Sequence, residues 1–291
     1  MTPNWTKMLA LGAMAVLLVV RPAAAQAPAA PKPAEQPPLQ DNLPDQPPHH
    51  DADALARATQ NPVSSLISLP FQSNFDFGIG DRHAEATTLN IQPVIPYRAT
   101  SNANVILRVI MPLESRPGPD GSVRLGGLGD VTATAFFTPS KAHTVTVGVG
   151  PVFILPAATD VLLGGEKFGL GSAFVALVQP GKWTIGALYN QIWSVSGAID
   201  RDDFNITFIQ PFVNYNLGNG LSLGYSLEAS ANWKAPSTNT WNSPMVFKVA
   251  KVTVLGHQHV QIEMGAGPVA ATSDSAAIWR FRLNFSFLFP R

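Results

Sequence analysis

Over residues 276–291 the chain alternates almost without fault. Trp279, Phe281, Leu283, Phe285, Phe287 and Phe289 take every second position, Arg280, Arg282, Asn284 and Ser286 lie between them, and Leu288 is the one interruption. A period of two puts apolar side chains on one face of an extended strand and polar ones on the other. Strands of soluble proteins average about 5–6 residues. This run is as long as the ~9–11 residues that a tilted strand needs to cross a bilayer.

The same period governs the chain from residue 71 onward. Phe71, Phe75, Phe77 and Ile79 alternate with Gln72, Asn74 and Asp76, and Leu89, Ile91, Ile95 and Tyr97 with Asn90, Gln92 and Arg98. Val105, Leu107, Val109, Met111 and Leu113 oppose Asn104, Arg108 and Glu114; Val131, Ala133, Ala135 and Phe137 oppose Asp130, Thr132 and Thr134. Further segments of this kind cover 145–155, 183–196, 221–233 and 260–267, with Glu228 and Glu263 among their polar positions. The segment 168–178 is apolar on both faces, so its phase stays open. The segment 204–217 changes phase near Phe208 and Ile209, which predicts a bulge, and 245–255 slips between Lys248 and Lys251. With 276–291 this makes about 12 strands.

The connections between these segments alternate in length. Short ones fall at 100–103, 139–143, 179–182, 218–220 and 256–259, and mostly longer polar ones at 80–86, 115–127, 157–167, 197–203, 234–243 and 272–276. An even strand count with turns at one end and loops at the other predicts an all-β fold, a closed antiparallel transmembrane β-barrel with periplasmic N- and C-termini. Aromatic residues gather near strand ends as interfacial girdles do: Tyr97, Phe137, Trp183, Tyr215 and Phe289 at the turn end, Trp193, Trp233 and Trp279 at the loop end. Pro93, Pro151 and Pro211 resist the pattern, because a closed barrel has no free edge on which to hide a missing N–H.

Composition narrows the class. Of 291 residues 13% are charged, about half the usual ~25%, and the formal net charge is zero. A charge-poor, neutral chain is a poor fit to nucleic acid, whose phosphates require clustered Lys and Arg. The absence of cysteine removes disulfides and thiolate metal sites. Residues 1–25 read as a signal peptide: Lys7, a 13-residue apolar core at 8–20, and a small-residue cleavage site at Ala23-Ala24-Ala25. Residues 26–50, rich in Pro, Ala and Gln and ending in His49-His50, read as a disordered linker. Residues 51–70 form a short amphipathic segment that Asn61-Pro62 interrupts, a candidate plug or rim helix. The barrel domain is then 71–291.

The sequence offers little catalytic chemistry. His143, His257 and His259 fall in the short turns, and only His83, with Asp81 and Glu85 nearby, has a setting that suits a surface hydrolase. Gly126-Gly127-Leu128-Gly129-Asp130 has the look of a phosphate loop, but no helix follows to supply a dipole, and bending of a curled sheet explains the glycines. No catalytic residue, metal site or cofactor is expected. What remains are inward-facing charges: Asp76, Arg98, Arg108, Glu114, Asp130, Glu228, Lys251, Glu263, Arg280 and Arg282. They either pair to fill a narrow lumen or form a constriction that selects solutes by charge and size. First and last strands pair in a closed barrel, so Asp76 belongs beside the arginines of the last strand.

Two resemblances follow. The alternating last strand, ending in aromatic residues, resembles the C-terminal signature of bacterial outer-membrane barrels, departing from it at Pro290 and Arg291, and implies delivery to the barrel-assembly machinery. Asn61-Pro62-Val63, the stretch 66–72 (LISLPFQ), 89–98 (LNIQPVIPYR), Gly127-Leu128-Gly129-Asp130, 148–156 (GVGPVFILP) and 210–215 (QPFVNY) resemble a family of bacterial outer-membrane proteins. That family is labelled phenol meta-pathway degradation proteins and loosely called transporters. The likeness covers residues 60–289. It implies a barrel in the bacterial outer membrane, with the lipid bilayer as its surroundings, and uptake of aromatic or other small organic molecules. The reading that follows is a passive channel for small solutes; the alternative is a plugged, non-transporting surface barrel with a structural or adhesive role.

Overall fold

A barrel wall can cross hydrocarbon only if every backbone N–H and C=O finds a partner inside the protein, and the strand pairing meets that condition by closing on itself. The computed structural model describes residues 52–118, 123–140, 143–273 and 276–290, so the signal-peptide and linker assignments, with His49 and His50, lie outside the described residues. After one helix, α1 (Ala52–Thr59), the chain is strand throughout: β1 (Ile67–Ile79), β2 (Ala84–Ile91), β3 (Val94–Arg98), β4 (Ala103–Pro117), β5 (Arg124–Leu128), β6 (Val131–Pro139), β7 (Val145–Leu155), β8 (Lys167–Val178), β9 (Trp183–Gly197), β10 (Asn205–Gly218), β11 (Leu221–Leu227), β12 (Ala229–Asn232), β13 (Trp241–Leu255), β14 (Gln258–Ala271) and β15 (Trp279–Phe289). Three pairs, β2/β3, β5/β6 and β11/β12, are single staves with a break in them, so the 15-stranded sheet has twelve staves. Neighbours pair antiparallel all the way round. The circle closes where β1 lies on β15, from Ile67 opposite Phe289 to Phe77 opposite Trp279.

The breaks account for two of the prolines. Pro93 falls in the gap between β2 and β3, where the amide of Gln92 bonds the carbonyl of Pro70 at 2.9 Å. Pro211 pairs with Ala187 of β9 on one side. On its other side β10 meets the gap at Glu228, between β11 and β12. Pro151 keeps register with Ser172 of β8, while the ladder to β6 skips from Val152 to Val149. In each case the missing N–H coincides with a local loss of pairing on one side of the stave.

Burial confirms the alternation and corrects it in places. The outward face carries Phe77, Leu107, Val147, Leu170, Phe174, Ile185, Val249, Ile262 and Leu283, all exposed. That is an apolar band fit for lipid, with Trp183 and Tyr215 in contact near one end and Trp233 and Trp241 near the other. No bulge occurs at Phe208–Ile209, because β10 keeps unbroken register with β9 from Asn205 to Tyr215. Phe208 and Phe212 point inward onto an apolar cluster, which is why the pattern seems to change phase. The expected slip in β13 is also absent: Lys248 faces in and Lys251, exposed, faces out. The open phase of β8 resolves with Ala173, Val175 and Leu177 inward.

Element bounds shift modestly. β1 begins at Ile67, inside the segment expected to precede the barrel, and β4 and β5 extend into the expected second loop. The first loop shrinks to 80–83, as short as a turn. The inner apolar cluster joins Ile106, Phe136, Val152, Val175, Leu188 and Ile192, and Val63 from the N-terminal segment packs onto it.

Several glycines are fixed by contact. A Cβ on Gly150 would run into the carbonyl oxygen of Ala135 in the neighbouring strand, whereas one on Gly126 meets nothing nearer than 3.8 Å. Gly150→Val is therefore expected to reduce sharply the fraction of compact barrel that migrates differently unboiled and boiled on a denaturing gel, and Gly126→Ala to leave it unchanged.

Candidate functional site

The inward polar residues come from facing walls, and their charges meet across the lumen. At the seam Asp76 of β1 accepts two hydrogen bonds from Arg280 of β15, at 2.7 and 2.8 Å. Two residues deeper, Arg282 donates to Asn74 at 2.7 Å and reaches across to Glu228 at 2.6 and 2.8 Å. Arg280 stands 3.7 Å from the same carboxylate, and Gln210 adds a hydrogen bond to it at 3.2 Å. Bidentate guanidinium–carboxylate pairs of this kind are short and directional. Glu228 occupies the β11/β12 break, so the place where Pro211 interrupts the ladder is also the place that presents the central carboxylate. A separate pair, Lys248 to Glu263 at 3.3 Å, joins β13 to β14.

Arg108 is held differently. It lies on β4, third of the twelve staves, and Glu228 lies on the ninth, directly opposite. Its guanidinium donates to Gln92 Oε1 at 2.9 Å, and it forms no ion pair among the described residues. Counting the central lumen charges gives four cations (Arg108, Lys248, Arg280, Arg282) and three anions (Asp76, Glu228, Glu263), a difference of +1. Arg108 is the surplus.

Three cavities lie along the barrel. One of ≈180 Å³ occupies the short-turn half and touches residues 58–62, 64 and 66. A second, ≈160 Å³, sits at mid-height and is lined on one side by Gln72, Gln92, Arg108 and Gln210 and on the other by Ile110, Phe136, Leu188 and Phe208. Gln72, Gln92, Arg108 and Gln210 border both and mark the waist between them. The third, ≈500 Å³, opens at the loop end beside Asp76, Glu114, Arg116 and Leu162.

Both ends of the lumen are narrowed. At the loop end, residues 156–166 fold inward. Asp130 accepts hydrogen bonds from the amides of Ala158 at 3.3 Å and Gly165 at 2.7 Å, and Leu128 and Thr159 bond each other. Gly127 makes room for this, since a Cβ there would collide with Thr159. Arg116 donates to the carbonyl of Leu162 and stands 3.7 Å from Glu114. In the next loop the Lys167 ammonium and the Ser194 hydroxyl hold the exposed Asp203 carboxyl below the usual range.

At the short-turn end α1 is tied to the wall. Arg57 donates to the carbonyls of Gln179, at 2.7 Å, and Gly181; Asp53 accepts from the Gly220 amide; Thr59 accepts from Gln261 at 2.9 Å; Gln60 bonds Asn216 at 2.9 Å. Leu55, Ala56 and Leu66 pack on Val252 and Leu288. This accounts for Leu288: the one apolar residue on the wet face of the last strand is fully buried beneath the helix.

The structure thus brings together Asp76, Glu228, Arg280 and Arg282, and places Glu263 and Arg108 in the same lumen. Arg98 does not join them. It ends β3 at the short-turn rim, exposed, with its Nε directed to the carbonyl of Thr100 at 3.4 Å. Lys251 is on the outer face and donates to the carbonyl of Asn219. Asp130 serves the inward loop, and Glu114 the loop-end cavity. Sequence reasoning left out Lys248, hidden by the supposed slip in β13, and the amides Gln72, Gln92, Asn190 and Gln210, which carry no charge to attract notice. Among the described residues no group of three or more acidic, His or Cys side chains is placed to hold a metal ion.

No family model matches the chain, and no curated protein does. Solved structures do. The chain is similar to an outer membrane channel from Pseudomonas putida F1, at 15% identity over 84% of this chain and 100% of that one, with a TM-score of 0.60. It is also similar to the NanC porin, at 14% identity over 75% and 98% of the respective chains, TM-score 0.50. At these identities the likeness is one of fold. The fold is that of an outer-membrane β-barrel.

Removing one partner of a buried ion pair costs about 3–5 kcal/mol, and removing both costs far less. Arg282→Ala is accordingly expected to lower barrel stability by roughly that amount in urea unfolding from detergent micelles. Arg282→Ala with Glu228→Ala together should recover most of the loss, giving a large coupling in a double-mutant cycle.

Proposed function

We propose that this protein is a bacterial outer-membrane channel for passive uptake of small solutes, related to the family of phenol meta-pathway outer-membrane proteins that its sequence resembles. The observation that carries the reading is the row of three cavities, lined by hydrogen-bonding side chains, inside a wall whose outer surface is apolar. A twelve-stranded barrel lies between small barrels filled by side chains and wide aqueous porins, and a partly filled lumen with polar lining fits selective passage. The two most informative structural likenesses point the same way, since one is described as an outer membrane channel and the other as a porin.

Both ends of the described barrel lie at the short-turn end, and that end is assigned to the periplasm, with the longer loops outside. β15 is then the strand presented to the barrel-assembly machinery. The solutes are small organic molecules, aromatic ones among them, because the mid-height cavity is half apolar. His83 closes the β1–β2 turn, with a left-handed backbone and its amide bonded to Gly80, which supports a turn residue in place of a hydrolase base.

A second reading, the plugged surface barrel, is favoured by one observation: α1 and residues 60–66 bind the wall at the short-turn mouth. Planar bilayer recordings separate the two. The channel reading expects discrete conductance steps, larger or more frequent when residues 26–64 are deleted and altered in ion selectivity by Arg108→Ala. A folded barrel that stays silent in both full-length and deleted forms would leave only the plugged reading.

A further inference from the structure

The mid-height cavity has a composition that channel lining alone does not require. One wall presents Arg108, the surplus cation of the lumen, with only the Gln92 carbonyl oxygen as partner and two cavities at its sides. The facing wall is Ile110, Phe136, Leu188 and Phe208. Into the same space comes Asn190, whose Oδ1 is buried and accepts no hydrogen bond. A buried acceptor left open costs free energy unless a bound donor satisfies it. Glu228, also on the lining, does not repel an anion strongly, because Arg282 and Arg280 neutralise it.

We infer that this cavity is a binding site for a small monocyclic organic acid. The carboxylate pairs with the Arg108 guanidinium, whose planar fork suits two carboxylate oxygens. The ring lies against Phe136, Leu188 and Phe208, and a hydroxyl on the ring donates to Asn190 Oδ1. Size agrees: a cavity of about 150 Å³ with a Leu, Ile and Phe lining holds benzene, and this one measures ≈160 Å³. Charge sets the class. An amine would meet an uncompensated guanidinium, an alcohol would leave it unpaired, and inorganic anions would leave the apolar wall uncovered. The inference rests on the channel reading to the extent that the site lies on the solute path, and it names which solutes pause there.

The test is calorimetric titration of the purified full-length barrel in detergent with benzoate, 4-hydroxybenzoate, benzyl alcohol, benzylamine and formate. Benzoate is expected to bind, 4-hydroxybenzoate more tightly, and the other three not measurably. Arg108→Gln should weaken both acids by roughly ten- to a hundredfold, the worth of a hydrogen bond to a charged group, with Arg108→Lys intermediate. Asn190→Ala should erase the advantage of 4-hydroxybenzoate and leave benzoate unchanged. Compact migration of each unboiled variant on a gel establishes that it has folded. Absence of benzoate binding, equal binding of benzyl alcohol, or benzoate binding that survives Arg108→Gln in a folded barrel would overturn the site. Bilayer conductance in plain salt reads the channel separately: a conducting barrel that binds no acid loses the site and keeps the channel, and a silent barrel that binds benzoate through Arg108 keeps the site and loses the channel.

Discussion

Hydrocarbon offers a backbone amide no partner, and the seam between β1 and β15 is where that constraint is met last. Until those two strands pair, both are bare edges, and each unpaired N–H or C=O costs several kcal/mol in lipid. The seam is paired from Ile67 to Phe77 against Phe289 to Trp279. Its inner face is fastened by Asp76 to Arg280 and Asn74 to Arg282. Its outer face is fastened by aromatic pairs such as Phe75 with Phe281, 6.1 Å between ring centroids. The first and last strands therefore recognise one another by complementary side chains on both faces, and the register they adopt sets the height of every ring in the lumen.

From that register the centre of the lumen follows. Arg282 lies two residues inward of the Asp76–Arg280 pair and has no acid within its own seam, so it extends to Glu228, three staves away. Glu228 is available because Pro211 and its neighbours interrupt the ladder there, which frees the chain locally to turn a carboxylate into the lumen. A proline that looks like a fault in a strand is thus coupled to the strongest ion-pair network of the interior. The other half of the barrel, from β4 to β10, is filled in a different way, by branched aliphatic and aromatic side chains with Val63 among them. The two halves divide the lumen into a charged wall and an apolar wall.

Much of this was legible in the sequence and some was not, for definite physical reasons. Strands with one wet and one greasy face announce themselves by alternation, so β1, β4, β14 and β15 and the Asp76–Arg280 encounter follow from period and closure. Where the interior is itself apolar, both faces of a strand are greasy and alternation vanishes, as in parallel sheets buried on two sides. That is why β8 gave no phase, and why the inward Phe208 and Phe212 imitated a bulge in β10. Leu288 looked like an error for a related reason: its partner is a helix more than two hundred positions earlier. Arg98 and Lys251 have the parity or charge of lumen residues, but parity does not tell a rim from a waist. The neutral amides Gln72, Gln92 and Asn190 shape the waist without any charge or periodicity to mark them.

The two-walled lumen also bears on how a solute moves through it. A cation left without a counter-ion in a narrow lumen is expensive, since only water, amide oxygens and distant carboxylates offset its desolvation. Every other central cation of this barrel has a carboxylate within 4 Å. The barrel tolerates the exception at its waist, where Arg108 borders two cavities at once. A passing anion that pairs there relieves the exposed charge, but the relief is shared with Gln92 and with the field of Glu228 opposite, so it is partial. Partial relief is what conduction requires, because a site that held its solute as firmly as Arg282 holds Glu228 would stop the flow. The unmatched guanidinium and the matched one thus have opposite tasks in one lumen: Arg282 fixes the wall, and Arg108 leaves the passage something to exchange.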